Sequence, residues 1–171
     1  MQQYEFTLKF ALPMNESNGQ DFIESLADAG CDDAIVGTGQ RGRIALHFTR
    51  IADNAFESVT SAIRDVKHAI PDARLIEATP DFVGLSDVAE LIGFSRQNLR
   101  KLMISHSETF PIPMHSGTVS IWHLFDVLLW LEQQQKRVID SAVKDIALAN
   151  MKINVLKQAA ILDIHLKTPV Q

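Results

Sequence analysis

Between Phe94 and Ser107 the chain carries three cationic side chains and no acidic one. Arg96, Gln97, Arg100 and Lys101 recur at i, i+1, i+4 and i+5, which places all four on one side of a helix. A guanidinium grips O6 and N7 of guanine with two hydrogen bonds, a carboxamide matches N6 and N7 of adenine, and an ammonium neutralises phosphate. The chemistry these residue types share is recognition of double-stranded DNA.

Such a helix reads base edges only when a firm frame presents it. Leu85 to Leu102 has the spacings of a helix-turn-helix. Ser86 is expected to cap a first helix that buries Val88, Ala89 and Ile92, with Ala89 small where the second helix passes. Gly93 offers the positive φ of a tight turn. Ser95 is expected to cap the second helix, with Leu99 and Leu102 pinning it inward. Ser95, Arg96, Gln97, Arg100 and Lys101 are therefore the candidate DNA-binding residues of this stretch.

Downstream, Phe110 to Trp122 reads as a β-hairpin turning near Ser116-Gly117. Leu124, Val127, Leu128 and Leu131, with Trp130 nearby, mark an apolar-faced helix after it. In this order, residues 81–135 resemble the MerR-like winged helix-turn-helix of excisionase and AlpA-type regulators. The family's pattern is a Gly-Ser-Arg turn into the recognition helix, Phe-Pro at the start of the wing, Gly at its tip, then Asp and Trp-Leu in the closing helix. Gly93, Ser95 and Arg96, Phe110-Pro111, Gly117, and Asp126 with Trp130-Leu131 stand at those places. The resemblance implies DNA contacts from Arg96, Gln97, Arg100 and Lys101, with His115 and Thr118 as contacts from the wing. The family's wing is usually rich in Arg or Lys, whereas this one offers His115, Ser116 and Thr118. Its hold on phosphate is expected to be weak or to depend on histidine protonation.

Other signals point away from chemistry. Gly37-x-Gly39-x-x-Gly42 matches the dinucleotide fingerprint as a string, but an expected strand follows it where the fingerprint needs a helix. It reads as a hairpin connection. The six histidines lack metal-ligand spacing. Cys31 sits at a helix end beside Asp32 and Asp33, a poor setting for a thiolate, and is expected to be buried or inert. Asp32-Asp33 has no nucleophile to complete a catalytic site. No enzyme activity, metal or cofactor is expected.

The 171 residues include 16 Lys+Arg against 21 Asp+Glu, a formal charge of −5, with 46% hydrophobic and 22% charged residues. This is a globular composition, and it excludes a uniformly basic coat for nucleic acid. Residues 1–80 hold seven basic and twelve acidic side chains, whereas residues 136–171 hold six basic and three acidic. One cysteine excludes an internal disulfide framework. No run approaches the ~18 apolar residues of a membrane span. The amino terminus lacks the basic start and apolar run of a secretion signal. A cytoplasmic protein with no membrane partner is expected.

The expected fold is α+β in three parts. Residues 1–80 read as strand (Tyr4–Phe10), helix (Asp21–Ala29), strands (Ala34–Val36 and Ile44–Phe48), helix and strand (Arg74–Ala78), a ferredoxin-like βαββαβ domain. Asp53 is expected to cap its second helix and Pro71 to close it, with Phe6, Phe10, Phe48 and Phe56 in the core. Residues 81–135 form the winged helix-turn-helix. Residues 136–171 form a C-terminal helix, and since no Gly or Pro occurs between Thr118 and Thr168 nothing there forces helix to stop. Two apolar stripes, one through Ile139, Ile146, Ile153 and Ala160 and one through Leu148, Met151, Val155, Ala159 and Leu162, suggest cover by the chain's own domain and by a partner chain. The reading is a prokaryotic, sequence-specific transcriptional regulator that binds double-stranded DNA as a homodimer. Its alternatives are an excisionase-like DNA bender and an antitoxin-type adapter that binds a protein partner.

Overall fold

In the computed structural model, which describes residues 1–13 and 18–167, Tyr4, Phe6, Leu8 and Phe10 alternate with polar neighbours along strand β1 (Gln2–Ala11). The period of two sends all four large side chains to one buried face. Strand β3 (Arg43–Ala52) does the same with Ile44, Leu46 and Phe48. The two pair antiparallel from Gln2 opposite Ala52 to Ala11 opposite Arg43. With β2 (Ala34–Gly37) and β4 (Arg74–Thr79) they form a sheet of order β2-β3-β1-β4 in which every neighbour is antiparallel. Helix α1 (Ile23–Asp28), entered through a 3₁₀ turn at Gly19–Phe22, and helix α2 (Ala55–Ala69) connect the strands. Helix makes up 50% and strand 23% of a mixed α+β architecture.

Several local expectations are corrected. Helix α2 is capped by Asn54, whose Oδ1 accepts from Glu57 N at 2.8 Å, and not by Asp53. Its inward stripe is Ala55, Val59, Ala62 and Val66, so Phe56, about 100° around from Ala55, faces outward and is 40% exposed. The first helix is short and buries Leu26 while Ile23 remains exposed. Gly37 ends β2, paired with Ala45, and Gly42 lies in the connection to β3, so a strand follows the glycines as the hairpin reading requires. Asp33 belongs to structure: Arg50 Nε and a terminal nitrogen donate to it at 2.6 and 2.9 Å, and Arg50 also reaches Asp65 at 2.8 Å and Gly30 O at 2.8 Å.

Beyond Pro80 a second core begins. Strand β5 (Phe82–Val83), which the sequence analysis did not anticipate, pairs with β7 (Ser120–His123), which also pairs with β6 (His115–Ser116). Helices α3 (Leu85–Ile92), α4 (Arg96–Ser105) and α5 (Leu124–Gln134) close around Val83, Val88, Leu99, Trp122, Leu128 and Leu131.

The helical stretch that follows the hairpin, in which no Gly or Pro forces a stop, is nonetheless broken. Helix α5 stops at Gln134, Lys136 adopts φ +53°, and Arg137 N returns to Leu131 O at 3.0 Å. This is the left-handed C-terminal stop that glycine usually supplies, here made by a lysine. Asp140 then caps α6 (Ser141–Lys167) by accepting from Ala142 N at 2.8 Å.

Helix α6 serves both cores. Ile146, Ala149 and Ile153 pack on the four-stranded sheet, and Ala147 packs in the second core. Between these apolar positions, Asn150, Asn154 and Lys157 recur at i, i+4 and i+7 and meet backbone groups at the outer side of β4 and its continuation. Asn154 Oδ1 accepts from Ala78 N at 2.9 Å, and its Nδ2 donates to Ala78 O and to Asp81 Oδ2, both at 2.8 Å. Asn150 Nδ2 donates to Pro80 O at 3.1 Å, and Lys157 Nζ donates to Ile76 O. Side chains of a helix thus satisfy a strand edge that would otherwise stay open. Asp81, fully buried, also lies 2.7 Å from His123 Nδ1, and its backbone oxygen accepts from Leu124 N at 2.7 Å.

Candidate nucleic-acid interface

The turn between α3 and α4 is built by backbone geometry. Gly93 has φ +72°, Gly93 N donates to Glu90 O at 3.3 Å, and Phe94 N donates to Ala89 O at 2.8 Å. These two bonds form a Schellman stop. A Cβ at Gly93 would meet nothing within 4 Å, so the demand for glycine comes from φ and not from space. Phe94 carries the Arg137 guanidinium over its ring at 4.0 Å, which ties this turn to the α5–α6 connection. Helix α3 begins two residues earlier than expected: Gly84 is its cap residue, and Asp87 Oδ2 accepts from Gly84 N at 2.8 Å, so Ser86 lies inside the first turn.

Ser95 caps α4 as expected, with Oγ accepting from Asn98 N at 3.1 Å. Leu99 is fully buried and Leu102 and Met103 are half-buried, which fixes the rotation of α4 about its axis. Gln97, Lys101 and Ile104 then form the outward stripe at i, i+4 and i+7, flanked by Arg96 and Arg100 at i and i+4. All five are exposed, and among the described residues Arg96, Gln97, Arg100 and Lys101 make no side-chain hydrogen bond or ion pair. Ile104, 60% exposed, is the apolar member of this otherwise polar face and was not among the residues expected from the sequence. Its signal is its place seven residues after Gln97.

The β6–β7 hairpin places His115 opposite Ile121 and Ser116 opposite Ser120, with Gly117, Thr118 and Val119 at the tip. His115 and Thr118 are both exposed. A Cβ at Gly117 would lie 2.8 Å from His115 Nε2, so the imidazole folds across the tip glycine. Residues 110–123 contain no Lys or Arg. No hydrogen bond or ion pair joins this hairpin to the exposed α4 side chains among the described residues.

The hairpin is held from beneath. Phe110 packs edge-on against Trp122 and Trp130, with ring centroids 5.8 and 4.9 Å apart. Trp122 Nε1 donates to Pro111 O at 2.9 Å, and Trp130 Nε1 donates to Thr109 Oγ1 at 3.1 Å. The Phe-Pro and Trp-Leu pairs singled out in the sequence therefore meet in one aromatic cluster that anchors the segment leaving α4.

Among the described residues, no three His, Cys, Asp or Glu side chains lie close enough together to hold a metal ion. No helix among them is long and apolar enough to cross a membrane. Compared with known proteins, the chain matches no family model, no curated protein and no solved structure.

Proposed function

We propose that this chain is a prokaryotic regulator that binds double-stranded DNA sequence-specifically through α4. The observation that carries the reading is the outward face of α4: two arginines, a glutamine and a lysine, exposed and unpaired among the described residues, on a helix whose rotation is set by a buried leucine. Side chains without internal partners lose no protein contact when they engage bases and phosphates. Arg96 and Arg100 suit guanine, Gln97 adenine, Lys101 phosphate, and Ile104 a thymine methyl group. Ser95 spends its hydroxyl on the cap and positions the helix. His115 and Thr118 provide the weaker contacts of a wing without cations.

The order β5, α3, α4, β6–β7, α5 supports a winged helix-turn-helix of the MerR-like, excisionase and AlpA type. The order β2-β3-β1-β4 supports a ferredoxin-like first domain.

The end of α6 supports a homodimer. Val155, Leu162 and Leu166 are 50%, 58% and 76% exposed, and with Ala159 they recur at spacings of four, three and four, a coiled-coil seam. Two copies present two recognition helices, and linked half-sites multiply a modest affinity. Selection of bound duplexes from a random library by the purified protein tests the function. An enriched motif with two half-sites is expected, and recovery of no motif above background overturns the proposal.

A further inference from the structure

We propose that the free edge of β1 at Gln3 and Glu5 docks an extended, basic segment of a partner protein, which adds to the sheet as one more strand. This proposal is independent of the role assigned to α4.

The direction of the backbone carries it. Leu12 N donates to Gly42 O at 2.9 Å, continuing the register that pairs Gln2 with Ala52 and Ala11 with Arg43. Backbone groups alternate sides along an antiparallel ladder, so even-numbered residues of β1 bond to β3 and odd-numbered residues face the other way. Lys9 and Thr7 use that second side to meet Glu77 and Thr79 of β4. The pairing with β4 ends at Thr79, so Gln3 and Glu5 direct their N–H and C=O groups outward with no strand beside them among the described residues. The outer edge of β4 is closed by Asn154 and Lys157, whereas among the described residues no hydrogen bond closes this edge of β1.

The space beside that edge has the form and charge for a particular occupant. A groove of about 670 Å³ runs along it, walled on the far side by Phe82, Val83, Leu91 and Val143. Glu5, Asp87 and Asp140 also line it and form no ion pair among the described residues. Its one lysine, Lys9, is already bonded to Glu77 at 2.9 Å. A strand with alternating apolar and cationic side chains fits: backbone bonds to Gln3 and Glu5, apolar groups on the wall, cations beside the carboxylates. A second copy of β1 fits poorly, because it would set another Glu5 into the same short ladder.

Panning the full chain against a displayed library of random dodecapeptides provides the test, followed by anisotropy titration of the synthesised best binder. Selected peptides are expected to alternate Lys or Arg with apolar residues. Gln3→Pro removes the outward N–H while leaving the β3 side of the ladder intact, and is expected to weaken binding about tenfold or more. Glu5→Lys is expected to do the same by charge, so the test survives if the proline variant does not fold. No enrichment over an unrelated protein, acidic binders, or unchanged affinity for folded Gln3→Pro or Glu5→Lys would each overturn the proposal. So would sedimentation showing that Gln3→Pro dissociates a dimer, since the edge would then be filled by a second copy.

Discussion

Asn154 of α6 holds Ala78 of β4 by both backbone groups, at 2.9 and 2.8 Å, across 76 residues of sequence. A carboxamide carries one donor side and one acceptor, so it completes a strand edge as another strand's peptide group would. Its second Nδ2 bond, to buried Asp81, extends the connection to His123 at the end of β7. The sheet and the small core that carries α4 are thereby linked to one helix by polar contacts as well as by packing.

Asn154→Ala is expected to be costly for this reason. It leaves Ala78 N–H, Ala78 O and an Asp81 oxygen short of a partner, at about 1–3 kcal/mol for a buried unsatisfied group. A loss of roughly 2–4 kcal/mol should appear as a lower urea midpoint with a similar slope. An unchanged midpoint would contradict the assignment.

Phe110→Ala should open a cavity under the hairpin between Trp122 and Trp130. The expected cost is about 3–5 kcal/mol in urea denaturation, with a red shift of tryptophan emission in the native baseline. A change below about 1 kcal/mol would mean that the aromatic cluster does not anchor the hairpin.

Cys31 is buried, and burial, followed by the charge of Asp65, pushes its thiol up to about 11 from 9.0. A folded pKa above the unfolded one stabilises the protein fully below about pH 9, and that contribution fades as pH rises through about 11. Native protein should therefore resist a thiol-specific disulfide reagent at pH 8 and react promptly in denaturant. Rapid reaction of the native form would contradict this placement.

The exposed seam of α6 predicts that Val155→Glu with Leu162→Glu converts a dimer to a monomer in sedimentation velocity. Circular dichroism should change little, because both side chains are at least half exposed within the chain. A dimer that persists would place the interface elsewhere.

Much of this was legible in the sequence because the signals are local. Alternation located β1 and β3, and Gly93 with Ser95 marked the turn and the cap within a few residues of where they act. What escaped depends on distant partners or on close competition. Asn150 and Asn154 look like polar interruptions of an apolar stripe until their partners, 70 or more residues away, are known. Arg50 likewise meets Asp33 and Asp65 only once the sheet forms. Asp53 and Asn54 are both competent caps, and the register of Glu57 N decides between them. The break after α5 rests on Lys136 taking a left-handed conformation that its residue type does not announce. The candidate contacts on α4 were legible as polar residues, whereas Ile104, apolar but 60% exposed on the same face, carries only its spacing from Gln97 as a signal.

If duplex DNA meets Arg96, Arg100 and Lys101 in both copies of a dimer, affinity should fall steeply with salt. The slope of log K against log salt should be about −2 when the two Lys101 side chains meet phosphate, and approaches about −5 only as the four arginines also displace counterions. A slope near zero would remove the electrostatic part of the account.

Whether α4 reads DNA is decided by titrating the selected duplex against wild type, Arg96→Ala and Arg100→Ala at one salt concentration. Each bidentate contact is worth about 1–3 kcal/mol, so each variant should bind roughly 10- to 100-fold more weakly, with unchanged circular dichroism. Wild-type affinity in both folded variants would contradict DNA reading by α4.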